Sequence, residues 1–391
     1  MSADLTAELE GILADAISNG ETPGAGVEVR RKGETVARFA LGALEGVEVT
    51  PDSVWWVASL TKPIVAVSAL IAQEAGLLRL EDLAETYVPE LTAPRSVRHI
   101  EPDPHPAPAA RPGPGAPVVV DDSDLEPATR KLAIRDFLTG TAGLQTIGVP
   151  NEAIPRPQWG ETLGEFVPKL AGAPLDFQPG AKWHYSNATA FEVVARCIEV
   201  AAGQSFEDFV TSRIFEPLGM ASTTFGVRDR TKARQLPLGP FGSQDPILGT
   251  TFFSGSAGLL TTLDDYSNFA AMLLRHGEYA GARILTAESV AALASNQIGD
   301  LRLGGISPDK YGSLFATPDS SVGYGYAVLT LLAQNAVSAI PPGSFGWDGM
   351  GSRRFWVVPA WDTTIVVLAD GFGAGPLQRR LEASIAAAVA G

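Results

Sequence analysis

The sequence predicts a mixed α/β chain of the α+β kind, in which an antiparallel sheet flanked by helices carries an inserted, mostly helical lobe. Three observations predict it. Strand patterns lie near the start of the chain, the stretch from about Ser59 to Leu260 carries mainly helical signals, and strand patterns return from about Gly323 onward. A sheet assembled from both chain ends would place its domain at 1–58 and 255–391, with the helical lobe at 59–254.

Each element has its own signal. Leu5, Leu9, Ile12, Leu13 and Ala16 recur at helical spacing, and Gly26 to Arg30 and Glu34 to Phe39 then flank Lys32-Gly33 as a hairpin. One helical run ends at Gly76 and another at Gly203, a residue type suited to the left-handed position after a helix. Thr262 to Leu274 is amphipathic. Tyr324 to Leu329, Arg354 to Val358 and Thr363 to Leu368 read as strands ahead of a final Ala-rich helix. Between Pro94 and Pro117 there are eight prolines with His99, His105 and three arginines, a composition for a long surface loop rather than regular structure.

At 391 residues and 45% hydrophobic content, the chain can bury a large core. Its 29 basic and 44 acidic side chains give a formal charge of -15, which argues against nucleic acid or an anionic membrane as partner. The single cysteine, Cys197, excludes an internal disulfide and reads as a small buried side chain. Four scattered histidines make no metal cluster, and nothing points to a cofactor. Met1-Ser2-Ala3-Asp4-Leu5 lacks the basic and apolar regions of a signal peptide, and no apolar run is long enough to span a bilayer. A cytoplasmic location is therefore expected, and the oligomeric state is left open.

The most informative tetrad is Ser59-Leu60-Thr61-Lys62, which follows the apolar run Val54 to Ala58 and opens a helix-like segment at Pro63. Positions i and i+3 of a helix share a face, so a lysine amine there can approach a serine hydroxyl. The amine activates that hydroxyl only if burial or nearby positive charge keeps it partly neutral. The bland alternative is a capping serine with an unrelated lysine one turn on. Ser307 and Lys310 repeat the spacing without an apolar helix behind them and read as a solvated loop.

A second proton-handling group would protonate the leaving group, and Tyr185-Ser186-Asn187, after the turn-rich Gln178-Pro179-Gly180, is the candidate, with a surface or packing tyrosine the alternative. Asn187 could orient Lys62 or bind a substrate carbonyl. Tyr266-Ser267-Asn268 repeats the pattern inside an amphipathic helix and reads as packing. Near the C-terminus, Phe345-Gly346-Trp347-Asp348-Gly349-Met350-Gly351-Ser352 precedes the strand from Arg354, as one wall of a cleft or as an ordinary Gly-rich turn. Backbone N–H groups of Ser59 and Met350 would there form an oxyanion hole. Trp56, Trp183 and Trp347, near the motifs in sequence, are candidates to line an apolar pocket, with core packing the alternative for Trp56.

This ordered trio resembles the serine β-lactamase and penicillin-binding-protein superfamily, most of all its class C-like esterase branch, family VIII. Leu138-Thr139-Gly140-Thr141-Ala142-Gly143-Leu144, Phe177-Gln178-Pro179-Gly180, Ile214 to Met220 and Ser256-Ala257-Gly258-Leu259 are similar to the same family, and together they span about residues 20–370. The resemblance implies the β-lactamase/transpeptidase-like fold and a serine hydrolase that cleaves carboxylic esters through an acyl-enzyme on Ser59, with Lys62 and Tyr185 moving its proton. Asn187, Trp347, Asp348, Gly349 and Trp183 would meet a small-molecule ester substrate. Two departures stand out. Trp347-Asp348-Gly349 replaces the usual Lys-Thr/Ser-Gly, which disfavours carboxylate substrates and suits uncharged esters, and Gly140 stands where relatives often carry histidine. No G-x-S-x-G pentapeptide occurs. A transacylase with the same residues, a β-lactamase or D-amino-acid peptidase, and a non-catalytic binding protein are the rival readings.

Overall fold

The computed structural model describes residues 2–98, 125–145, 153–232, 234–238, 246–303, 321–334, 338–371 and 375–389. Ser307, Lys310 and residues 99–117 of the Pro-rich segment lie outside them. The sheet is built from both ends of the chain: β1 (Gly24–Arg31), β2 (Glu34–Leu44) and β3 (Val47–Glu48) from the first, and β4 (Val322–Tyr324), β5 (Leu329–Leu331), β6 (Phe345–Gly349), β7 (Arg353–Val358) and β8 (Thr363–Ala369) from the second. Their order is β4-β5-β6-β7-β8-β1-β2-β3, antiparallel throughout, and the two ends join where Val27 of β1 faces Val367 of β8. The expected antiparallel sheet with a helical insertion is thus the observed architecture.

The long helices among the described residues are α1 (Ser2–Ser18), α2 (Thr61–Glu74), α3 (Ala190–Ala202), α4 (Leu263–Leu274) and α5 (Gly375–Val389). Strand alternation presents opposite faces of the sheet to α4 and α5. On β7, Phe355 packs edge-on against Tyr266 of α4 at 5.4 Å, whereas its neighbours Arg354 and Trp356 each donate to Glu382 of α5 at 2.9 Å. α1 lies with α5, and its Leu5, Leu9, Leu13 and Ala16 are buried, each large side chain contributing about 1.5–3 kcal/mol over exposure. The β1–β2 hairpin turns on Lys32 and Gly33 at φ 53° and 85°, the paired left-handed residues that match strand twist.

One strand is corrected. Tyr324 to Leu329 does not run as a single strand: β4 stops at Tyr324, Gly325 N–H donates to the Val328 carbonyl, and β5 restarts at Leu329. Ala327 at φ 60° bends the chain, and a Cβ on Gly325 would lie 2.0 Å from the Leu293 carbonyl oxygen, so the turn is seated on a neighbouring helix end. No sequence window contains that neighbour. Among the described residues, no helix is long and apolar enough to cross a membrane.

Within the insertion, α2 is buried from Thr61 to Ala72 and packs on α3, so it is a central rather than an amphipathic surface helix. α3 ends as expected, with Gly203 left-handed at φ 65°. The junction between α2 and the end of β6 carries the site.

Candidate active site

Trp55–Trp56 pairs with Leu260 and Thr261, Thr224–Phe225 pairs with Leu259 and Leu260 of the same strand, and this small ribbon delivers the chain to the site. Val57 N–H donates to the Leu259 carbonyl at 3.0 Å, and Ala58 then takes φ 46°, a left-handed strain of about 1–3 kcal/mol for a residue with a side chain. Ser59 sits in the one-turn 3₁₀ segment Ala58–Leu60, one step ahead of α2 rather than in its first turn. Lys62 is the second residue of α2, with Pro63 following in the first turn, where its missing N–H costs little.

The i, i+3 contact forms. Lys62 Nζ lies 3.1 Å from Ser59 Oγ, and it donates to the backbone carbonyls of Asn187 at 3.1 Å and Ser256 at 2.8 Å. The amine is fully buried. Burial lowers its pKa to about 7, while the carboxylate of Glu192 pulls it back upward. Near neutrality the amine is therefore substantially unprotonated. Its two hydrogens then serve the two carbonyls, which leaves the lone pair facing the serine hydroxyl.

Tyr185, far away in sequence, closes the cluster from the other side. Its hydroxyl donates to Ser59 Oγ at 2.6 Å, and its ring lies 5.1 Å from Lys62 Nζ. Burial drives the phenol pKa well above the ordinary tyrosine value. Tyr185 thus stays a proton donor while Lys62 is the group able to accept, a division of labour that spacing alone leaves open. The approach segment is anchored by Gly180 N–H on the Thr141 carbonyl and His184 N–H on the Gly140 carbonyl. Gly140 is left-handed at φ 71°, and a Cβ on it would lie 2.8 Å from Trp183 Nε1, so the indole fills the space a side chain at 140 would take.

The remaining expected site residues divide. Trp183 and Trp347 are buried and belong to an aromatic row in which Trp183 meets Tyr324 at 5.2 Å and Tyr324 meets Trp347 at 5.2 Å, both edge to face, and Trp347 meets Tyr185 at 5.5 Å with the rings tilted. They back the tyrosine instead of presenting an open wall. Trp56 is also buried, with Nε1 donating to the Ala257 carbonyl, in a small cluster with Ala58, Leu248, Leu260 and the partly buried Met350. Asn187 gives its main-chain carbonyl to Lys62, and the residue is exposed. Asp348, alternating with Trp347 along β6, turns to the face covered by α5. There Arg354 Nε and Nη2 hold its two oxygens at 2.6 and 2.8 Å, and the same guanidinium reaches Glu382 at 2.9 Å. The acid is met by a cation within the protein.

Gly349 has a packing reason. A Cβ there would lie 2.4 Å from the Val57 carbonyl oxygen and 3.3 Å from Leu60 Cγ, so the missing side chain admits the turn that carries Ser59 to the end of β6. Met350 follows. Its carbonyl accepts from Arg353 Nη1 at 2.6 Å, and that guanidinium also reaches Asp370 at 2.8 Å and crosses the Trp55 ring.

Sequence reasoning passed over two residues that the geometry brings in. They are Glu192, in the first turn of α3, and Arg353, one position ahead of the strand expected from Arg354. The clue to Glu192 was a charge set in the otherwise apolar stretch from Phe191 to Ile198, opposite the buried lysine's helix.

An antiparallel sheet from both chain ends, a helical insertion, and a Ser-Lys-Tyr cluster at their junction define the class of β-lactamase-like proteins. The chain belongs to the Beta-lactamase family, whose profile matches residues 9–390. It is similar to Protein Rv1367c of Mycobacterium tuberculosis, 26% identical over 348 residues, covering 83% of this chain and 79% of that protein. It is also similar to lovastatin esterase of Penicillium rubens, 28% identical over 244 residues, covering 58% of this chain and 56% of the other. Among solved structures, EstCE1, a hydrolase with promiscuous acyltransferase activity, superposes with a TM-score of 0.74 at 19% identity, over 98% of this chain and 99% of its own.

Proposed function

We propose that this protein is a serine hydrolase that cleaves uncharged carboxylic esters through a covalent acyl-enzyme. The observation that carries the reading is Ser59 Oγ held between Lys62 Nζ at 3.1 Å and Tyr185 OH at 2.6 Å, with the amine brought to a pKa of about 7. Ser59 Oγ attacks the ester carbonyl carbon as Lys62 takes its proton. Backbone N–H groups of Ser59 and Met350 receive the oxyanion, the carbon–alkoxide bond breaks, and Tyr185 protonates the departing alcohol while drawing its replacement proton from Lys62. Water then adds to the acyl-enzyme, losing its proton along the same path, and releases the acid.

The preference for neutral substrates rests on the third motif. Trp347 stands where carboxylate-binding relatives carry a lysine, so an uncharged indole replaces the cation on the Tyr185 side, while Asp348 is bound to Arg354 on the opposite face. In this reading the exposed Asn187 would meet the substrate. A transacylase reading uses the same steps with an alcohol in place of water, and the acyltransferase activity named for EstCE1 supports keeping it as the second reading.

The test is intact-mass measurement after brief exposure to p-nitrophenyl esters of graded acyl length, with steady-state rates on p-nitrophenyl butyrate and nitrocefin. An acyl adduct on the parent and none on Ser59→Ala is expected. Faster turnover of nitrocefin than of the butyrate overturns the ester reading, and added alcohols that divert the acyl group without raising free acid favour transfer.

A further inference from the structure

Glu192 is the third residue of α3 and is 1% exposed. Its Oε1 accepts from Ser254 Oγ at 2.7 Å and from Ser256 N–H at 3.3 Å, and its Oε2 accepts from Gly255 N–H at 2.5 Å. All three donors lie in the short segment whose Ser256 carbonyl receives Lys62 at 2.8 Å. That segment lies directly on the first turn of α3, since a Cβ on Gly255 would sit 2.5 Å from the Phe191 carbonyl oxygen. The Phe191 ring in turn approaches Lys62 Nζ to 5.5 Å. A buried carboxylate is costly unless donors compensate it, and here every compensating donor is on the peptide stretch that touches the amine.

We propose that Glu192 is a positioning residue for the ester-cleaving reaction: it pins the Ser254–Ser256 segment so that the Ser256 carbonyl meets Lys62, and its charge acts on the amine. The inference rests on the serine hydrolase reading for its kinetic consequence, but the coupling itself does not.

The groups facing the pair are few. Tyr185, before α3, and Ser59, ahead of α2, lie on the Lys62 side, Asp348 at the end of β6 acts on Tyr185, and the 254–256 segment brings hydroxyls and peptide groups. Burial raises Glu192 to about 7, with Lys62 pulling it down, and burial lowers Lys62 to about 7, with Glu192 pulling it up. Two buried groups with such reciprocal effects lose their protons in two macroscopic steps that belong to the pair rather than to either residue. The acid limb of the rate profile therefore belongs to both. Replacing the carboxylate by an amide removes the attraction that holds the proton on Lys62, so the limb moves to lower pH.

The experiment compares parent, Glu192→Gln, Glu192→Asp and Ser254→Ala. Two readouts are followed: the pH profile of kcat/KM on p-nitrophenyl butyrate, and the titration of the Lys62 side chain by NMR with 13Cε,15Nζ-lysine, assigned by its loss in Lys62→Arg. In Glu192→Gln both the acid limb and the Lys62 titration move to lower pH, and a limb displaced by about one pH unit raises the relative rate below the midpoint about tenfold. Glu192→Asp keeps the charge and holds the limb near the parent position, while kcat falls as the shorter side chain draws on the segment. Ser254→Ala leaves the carboxylate but removes a donor, so it moves the limb in the same direction as the amide by a smaller amount and stands in if Glu192→Gln does not fold. An unchanged limb and an unchanged Lys62 titration in these variants overturn the proposal. A protein that turns over no ester yet shows the displaced Lys62 titration overturns the hydrolase reading and leaves the coupling standing.

Discussion

Arg353 Nη1 donates to the Met350 carbonyl oxygen at 2.6 Å, which ties the residue proposed for the oxyanion hole to a buried guanidinium. The guanidinium occupies the space above Gly351, and Asp370 holds its other end at 2.8 Å. Arg353→Met should lower kcat by roughly 10²-fold with KM little changed, because the donor geometry is needed in the transition state more than in the ground state. Affinity for a boronate or trifluoromethyl ketone should fall in parallel with kcat. Equal loss of ground-state binding would show that Arg353 only supports the fold.

Gly349 makes a second prediction of the same kind. With the Val57 carbonyl oxygen 2.4 Å from its Cβ position, Gly349→Ala must push the Ser59 turn away from β6. A displacement of that order costs about 10²-fold in turnover. Turnover and thermal melting measured on this variant should both drop, and a variant as active as the parent would mean that the turn can yield without moving Ser59.

The two tyrosine motifs should separate activity from stability. Tyr185→Phe removes the donor to Ser59 and should lower kcat by roughly 10²–10⁴-fold. Tyr266 is a packing residue of α4 whose hydroxyl donates to the Leu60 carbonyl at 2.9 Å. Tyr266→Phe should keep the turnover number near that of the parent and cost about 0.5–1.5 kcal/mol of stability through the lost hydrogen bond. Urea unfolding and rates on both variants check the pair.

Lys62 also leaves a signature on stability. Its pKa is 10.5 unperturbed and about 7 when folded, so between those values the unfolded chain binds more protons and folding stability rises with pH. Below about pH 7 the burial penalty is fully present, and above 10.5 it is gone. Lys62→Met should flatten that slope in denaturant midpoints measured from pH 7 to 10. A slope equal to the parent's would mean that the amine stays charged in the fold.

What short-range geometry controls was legible in the sequence. Ser59 and Lys62 meet because three residues of helical turn set their spacing, α3 ends where Gly203 permits a left-handed residue, and the Lys32-Gly33 hairpin follows from turn chemistry. The antiparallel sheet from both chain ends was legible because strand patterns cluster at those ends. Tyr185 was reachable only through the order of motifs, since nothing local sets a contact across 126 positions.

The chemistry of those contacts was set by how the chain packs. Whether Lys62 is a base depends on the water excluded from around it and on the Glu192 charge, neither of which is written in its neighbours along the chain. Alternation along β6 sent Trp347 to the tyrosine and Asp348 to Arg354, so adjacent residues of one motif serve opposite faces. Gly349 looked like room for a ligand and proved to be room for the Val57 carbonyl. Proton affinity and close approach depend on solvent exclusion and on atoms far apart in sequence, which is why packing and not spacing sets them.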